Sequence, residues 1–172
     1  ALNLPKEGTL FLYFGSLRWD KGVDILLETI PLVRENCLWL IAGSADDITR
    51  KDIDALKGKL KNPESVITRF KFISDDDVKY YYLSADAVIL PYRRAYKGTS
   101  GVLQHASAAG KPVIVSDVGD IGLIVREKNL GIVIEPESPV SLAKGIQEFL
   151  SREDELSNDI RNRTIRYAKS KD

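Results

Sequence analysis

The chain has 172 residues, of which 44% are hydrophobic and 29% are charged, and its 25 basic and 25 acidic side chains cancel. This length and apolar content fit one domain with a real hydrophobic core, and they exclude a disordered chain. The zero net charge argues against a general nucleic-acid-binding protein, which needs a surplus of positive charge.

Targeting signals and the least common residues restrict the protein's cellular location and the kinds of site it can hold. No apolar run approaches the roughly 18 residues of a membrane span, and no signal-peptide pattern opens the chain. The single cysteine, Cys37, excludes an internal disulfide and favours a cytoplasmic protein. The single histidine, His105, excludes any site built on two or more histidines. Because the chain starts at Ala1 and contains no methionine, we expect it to be part of a longer protein.

Short apolar segments alternate with amphipathic segments along the chain. The apolar segments predict strands buried on both faces, at residues 9–14, 38–42, 66–72, 87–90, 113–116 and 131–134. The amphipathic segments predict helices at residues 21–35, 47–61, 75–84, 99–109, 138–150 and 153–169. This alternation is typical of a doubly wound α/β fold, in which a six-stranded parallel sheet carries helices on both faces in a Rossmann-like arrangement.

Two loops are expected to border the ligand crevice of such a fold. Ligands bind beyond the carboxyl ends of the strands, where the strand order reverses. With the common order 3-2-1-4-5-6, the first and fourth strands flank this point. The loops concerned are therefore residues 15–22 and 91–101.

Both loops are positively charged, and each leads directly into the N-terminus of a predicted helix. The second has three cations and no acid, whereas acids such as Asp75 open helices elsewhere in the chain. Positive charge at a helix N-terminus is unfavourable by a few tenths of a kcal/mol, so we expect an anion to bind there. Backbone N–H groups of residues 98–101 would suit a phosphate. The competing interpretation is that these cations are ordinary solvated loop residues.

Three segments resemble the retaining GT-B glycosyltransferases of family 4, also called glycosyl transferases group 1. Residues 14–24, FGSLRWDKGVD, resemble the phosphate loop of that family. Residues 99–114, TSGVLQHASAAGKPVI, resemble its second motif, and SDVG at 116–119 is followed after a short helix by GIVIEP at 131–136. The resemblance covers the C-terminal, nucleotide-sugar-binding half of such an enzyme. It implies a single donor-binding domain over residues 1–172, without the N-terminal acceptor domain of the full enzyme.

The resemblance also implies roles for individual residues. Arg18 and Lys21 would be the catalytic cations that pair with the donor diphosphate. The residues implied in donor binding are Gly15, Ser16, Phe72, Ile73, Lys97, Thr99, Ser100, Gly101, Val102 and His105. Among these, Phe72 and Ile73 would touch the nucleobase.

The chain departs from the family where two acids are usual. Many relatives carry two glutamates eight positions apart, which contact the transferred sugar and the ribose. The corresponding residues here are Lys97 and His105, and neither is acidic. The position of His105 within a helix favours a hydrogen-bonded structural histidine over a ribose contact. The acids at 75–77 are better explained by helix capping than by metal binding, and no metal or other cofactor is expected.

The implied reaction is retaining transfer of a hexosyl group, mannosyl- or glucosyl-like, from a nucleoside diphosphate sugar to an acceptor hydroxyl. The products would be glycans or glycolipids, as in polysaccharide biosynthesis, and both GDP-mannose and UDP-glucose fit as donors. The isolated domain should bind nucleotide but be inactive, and membrane contact would arise only peripherally, through the full-length enzyme. The alternatives are a degenerate nucleotide-binding domain, half of a nucleotide-sugar epimerase and, least favoured, a flavodoxin-type or receiver module.

Overall fold

The structure is a computed structural model and describes residues 2–5, 7–33 and 36–170. Its strands are β1 (Thr9–Phe14), β2 (Cys37–Gly43), β3 (Val66–Phe70), β4 (Ala87–Leu90), β5 (Val113–Ser116) and β6 (Gly131–Ile134). They form one parallel six-stranded sheet in the order β3-β2-β1-β4-β5-β6. The predicted sheet and strand order are confirmed, and the order reverses between β1 and β4.

Helices cover both faces of the sheet, as predicted. They are α1 (Val23–Thr29), α2 (Arg50–Lys57), α3 (Asp75–Ser84), α4 (Gly101–Ala108), α5 (Gly119–Lys128), α6 (Pro139–Ser151) and α7 (Glu153–Lys169). One buried cluster joins the sheet to α1, α2 and α6, and a second joins it to α3, α4 and α5. Helix α7 contributes to both clusters. Within the described ranges, no helix combines the length and apolar character that a membrane crossing demands.

Several element ends differ from the sequence prediction for local reasons. Helix α1 gives way to a 3-10 turn at Ile30–Leu32, where Pro31 has no N–H to continue an α-helix. The predicted end of this helix at residue 35 lies outside the described residues. Helix α2 begins at Arg50 because Thr49 and Asp52 form a reciprocal capping box.

Two further differences lie at the carboxyl edge of the sheet. Strand β3 ends at Phe70 rather than at residue 72. Helix α4 begins at Gly101 rather than at residue 99, because the Ser100 hydroxyl caps it by accepting a 3.3 Å hydrogen bond from the Leu103 N–H. The segment just before α4 therefore remains a loop.

Candidate functional site

The two loops that the sequence placed at the crevice lie side by side. They follow β1 and β4, which are neighbours in the sheet. Gly22 has a φ of 66°, and a Cβ at this position would lie 2.0 Å from the Pro91 carbonyl oxygen, so only glycine allows this approach. The Arg93 N–H also donates to the Asp20 carbonyl at 2.9 Å. The loops thus form one surface at the reversal point.

Lys21 lies in this surface as a half-buried cation. Its Nζ packs under Gly15, where an added Cβ would come within 3.0 Å of it. The ring centroid of Tyr92 is 6.0 Å from the same atom. Lys21 forms no ion pair with any residue in the described part of the chain. Burial and then the charge of Arg18 lower the pKa of Lys21. An ammonium held without a carboxylate partner can accept an anion.

The start of α4 faces the same place. The Gly15 Cβ position lies 3.8 Å from a methyl group of Val102, so the helix start and the first loop are adjacent. The N–H groups of Gly101 and Val102 donate to no acceptor within residues 2–5, 7–33 and 36–170. Thr99 is exposed at the mouth of this turn, and Ser100 is buried as the cap. These amides are available to an oxyanion.

Arg18 is less available than the sequence suggested. Its guanidinium pairs with Asp20, with an Nε–Oδ1 distance of 3.0 Å, and its side chain is half-exposed. Hydrogen bonding to Asp20 raises the pKa of Arg18. Ser16 is half-buried, and its carbonyl accepts a 2.9 Å bond from the Arg18 N–H. Arg18 thus borders the site with its charge compensated.

The positive charge of the second loop is also mostly compensated, which corrects the count made from sequence. Arg93 binds Asp24 of α1 through two hydrogen bonds of 3.0 and 2.7 Å. Arg94 lies 3.3 Å from Glu137. Lys97 is exposed and has no ion pair in the part of the chain that the structure describes. The sequence count considered only residues within the loop. It therefore missed Asp24 and Glu137, acids that the fold places beside the arginines of this loop.

The residues expected at the nucleobase lie apart from the phosphate loops. Phe72 follows β3, two strands away from β1, and is 84% exposed. Ile73 is buried in the same cluster as Val78 of α3. The structure therefore places these residues at the same edge of the sheet without joining them to Lys21.

His105 does not behave as the structural histidine that the sequence favoured. Its side chain is exposed and makes no hydrogen bond among the described residues. Its ring lies 5.5 Å from the ring of Tyr82, at 33°. It helps to line a cavity of about 290 Å³ between α3 and α4. The prediction of a hydrogen-bonded structural histidine is wrong because residue 105 faces the space between α3 and α4 rather than the sheet.

Tyr82 is a member of this groove that sequence reasoning missed. The side chain of Tyr82 is buried, as is that of Tyr81, while Tyr80 is exposed. However, the Tyr82 hydroxyl is buried without a hydrogen-bond partner in the described ranges, and burial raises its pKa. A buried hydroxyl without a partner is unfavourable, and no sequence signal reveals it.

The acids at 75–77 occupy the first turn of α3, where negative charge interacts favourably with the helix dipole. The Ser74 hydroxyl, at the cap position, donates to Asp77 at 3.1 Å. Across the described residues, no group of three or more histidine, cysteine, aspartate or glutamate side chains is arranged to hold a metal ion.

Comparison with known proteins decides the family. The family model described as glycosyl transferases group 1 matches residues 1–171, almost the entire chain. The chain belongs to the glycosyl transferases group 1 family. An uncharacterized glycosyltransferase from Methanocaldococcus jannaschii is 33% identical over 153 residues, which are 88% of this chain and 38% of that protein.

Solved structures place this family member among glycosyltransferases of the GT-B fold. The Anabaena protein HepE, solved in complex with UDP, matches with a TM-score of 0.83 at 18% identity, over 95% of this chain and 44% of that one. The C-terminal domain of a group 1 family protein from Francisella tularensis matches with a TM-score of 0.78 at 20% identity. That match covers 98% of this chain and 87% of the other. The chain spans about two fifths of the length of the first two of these proteins.

Proposed function

We propose that this chain is the C-terminal, donor-binding half of a retaining glycosyltransferase of family 4, forming one domain over residues 1–172. It holds a nucleoside diphosphate sugar, and a hexosyl group passes from it to an acceptor hydroxyl held by an N-terminal domain. Two facts support this: the chain spans about two fifths of its relatives, and it aligns with nearly all of a C-terminal domain from the same family.

The main support for this proposal is a lysine that, within the described ranges, is unpaired and lies close to free backbone amides. The Lys21 ammonium lies half-buried under Gly15 with no acid paired to it in the described residues, and the start of α4, with the free amides of Gly101 and Val102, adjoins the same glycine. A cation and two amides at the reversal point of the sheet are what a diphosphate needs. No other cation of these loops combines burial with a free charge.

The same groups would stabilise the transition state of glycosyl transfer. The bond from the anomeric carbon to the diphosphate breaks as an oxocarbenium-like transition state forms, and negative charge develops on the leaving oxygen. Preorganised donors aimed at that charge lower the barrier, and each one contributes about 3 kcal/mol. We assign this work to Lys21 and the turn at 99–102, with Arg18 at the border of the site.

The nucleoside would extend from this site across the edge of the sheet. The backbone at Ile73 and the exposed ring of Phe72 are assigned to the base. His105 is assigned to the ribose, beside the groove that Tyr82 also lines. Lys97 replaces the acid that contacts the sugar in many relatives.

Calorimetric titration tests this proposal. The chain is titrated with UDP, GDP and ADP and with the three matching nucleosides. We expect one diphosphate to bind at least about tenfold more tightly than its nucleoside, since two or more charge-assisted contacts are lost without the phosphates. Equal affinity for every diphosphate and its nucleoside would contradict a phosphate site, and the degenerate-domain alternative would then be preferred.

The pH dependence of binding gives a separate prediction. Because burial lowers the pKa of Lys21, its ammonium loses its proton at a lower pH than an ordinary lysine does. The ratio of diphosphate to nucleoside affinity should therefore fall as the pH rises through this lowered pKa, by up to about tenfold per pH unit beyond it. Affinities measured from about pH 7.5 to 10 check this. In the Lys21→Met variant the ratio should be low at every pH, and a slope unchanged by that substitution would refute the assignment.

A further inference from the structure

We propose that Arg93 is the positioning residue of the donor-phosphate site. It fixes the turn that carries Lys21, and it neutralises Asp24 so that this carboxylate does not repel the donor diphosphate. The inference rests on the proposed function, because it concerns how the same phosphate site is held and charged. Arg93 itself does not touch the donor.

The side chain of Arg93 is largely buried, and its guanidinium is bound to the first loop and to the start of α1. It binds the Asp24 carboxylate in the paired geometry, at 3.0 and 2.7 Å, with only 12% of its side chain exposed. The same guanidinium donates to the Trp19 carbonyl at 2.5 Å and lies 4.5 Å from the centre of the Trp19 ring. Such a planar contact over a ring and a carboxylate is specific to arginine.

The backbone of Arg93 holds the same turn from its other side. Its N–H donates to the Asp20 carbonyl at 2.9 Å, directly before Lys21. Side chain and main chain together fix the 3-10 turn Trp19–Lys21 against the loop that follows β4. The position of the Lys21 ammonium therefore depends on Arg93.

A carboxylate from a third loop lies near the same guanidinium. Glu137, which follows β6, places a carboxylate oxygen 3.9 Å from the Arg93 Nε. Glu137 has a φ of 60°, an unfavourable conformation for a residue with a side chain, which persists only when its surroundings hold it. Arg93 thus joins three loops at the carboxyl edge of the sheet.

The charge balance explains why such a residue is needed. Asp20 and Asp24 both lie within three residues of Lys21, and each is paired with an arginine rather than with the lysine. Without the Arg93 guanidinium, the Asp24 carboxylate would lose its ion-pair partner three residues from Lys21. Its uncompensated negative charge would then repel a diphosphate bound at the first loop.

The test is a double-mutant cycle read as the ratio of diphosphate to nucleoside affinity. Arg93→Gln, Asp24→Asn and the double variant are each titrated with UDP, GDP and ADP and with the matching nucleosides. We expect Arg93→Gln to lower the ratio by about tenfold or more, while Asp24→Asn lowers it by less than about threefold. The double variant should recover at least half of the loss on a logarithmic scale, because the uncompensated carboxylate is gone.

Two further variants keep the result interpretable. Arg93→Lys retains the charge without the paired geometry, and we expect an intermediate loss that can be read even where Arg93→Gln folds poorly. Arg152→Gln is the matched control, since Arg152 also pairs with two carboxylates, Glu148 and Glu155, but lies near the opposite edge of the sheet. It should leave the ratio unchanged.

The outcomes separate this inference from the function on which it rests. A wild-type chain with no phosphate-dependent binding would refute the proposed function and, with it, the role of Arg93. If the wild type shows such binding and Lys21→Met abolishes it, the function stands. In that case an unchanged ratio in Arg93→Gln, or no recovery in the double variant, would overturn the role of Arg93 alone.

Discussion

Replacing Lys21 with methionine is expected to lower kcat/KM of the intact enzyme about a hundredfold, because one preorganised donor to the leaving diphosphate contributes about 3 kcal/mol. Methionine keeps the length and apolar stem of the side chain and removes only the ammonium. The loss should appear in both KM and kcat, because Lys21 binds the donor diphosphate and its contact strengthens as negative charge develops on the leaving oxygen. Rates of sugar transfer with varied donor concentration measure both quantities.

Lys111→Met is the matched control for this substitution. Lys111 is also half-buried, and burial likewise lowers its pKa, but it precedes β5 at the opposite edge of the sheet. We expect this variant to keep its activity to within about threefold. A rate that Lys21→Met leaves unchanged, or that both variants lower equally, would remove Lys21 from the catalytic account.

Gly22→Ala is expected to cause the largest loss of stability among the loop substitutions. An added Cβ would lie 2.0 Å from the Pro91 carbonyl oxygen, and the φ of 66° is itself unfavourable for alanine. The two loops must then separate, so we expect the free energy of unfolding to fall by about 2–4 kcal/mol. Urea unfolding followed by circular dichroism measures this difference.

Gly101→Ala provides the comparison within the same site. A Cβ at Gly101 would meet nothing within 4 Å, and the residue begins α4. Its free energy of unfolding should stay within about 1 kcal/mol of the wild-type value, with a small gain from helix propensity. If both glycine variants unfold alike, close loop contact at Gly22 is not what stabilises this edge of the sheet.

The sheet could be predicted because each strand corresponds to a short, continuous run of residues in the sequence. The run at Thr9–Phe14 and those at Val113–Ser116 and Gly131–Ile134 are short, apolar and followed by a polar or glycine residue, and the structure places each strand at those residues. Interior strands of a parallel sheet, such as β1 and β5, typically leave this pattern, whereas the edge strand β6 alternates between buried and half-buried residues. The two loops at the reversal point follow from the strand order.

The pairing of charges at the site could not be predicted in the same way. Arg93 and Asp24 are 69 positions apart, and no periodicity relates them. Their contact exists because β1 and β4 are adjacent, so that the helix after one strand faces the loop after the other. The exposed position of His105 was missed for a related reason, since which face of α4 meets α3 depends on how the helices pack.

The most direct test of the phosphate site is a backbone amide NMR titration of the chain with the diphosphate that binds best. We expect the largest changes in amide chemical shift at Gly15, Lys21, Gly101 and Val102, and we expect the matching nucleoside to leave these four signals almost unmoved. Shifts confined to another surface, such as the region between α5 and α7, would contradict the placement of the donor phosphates at Lys21.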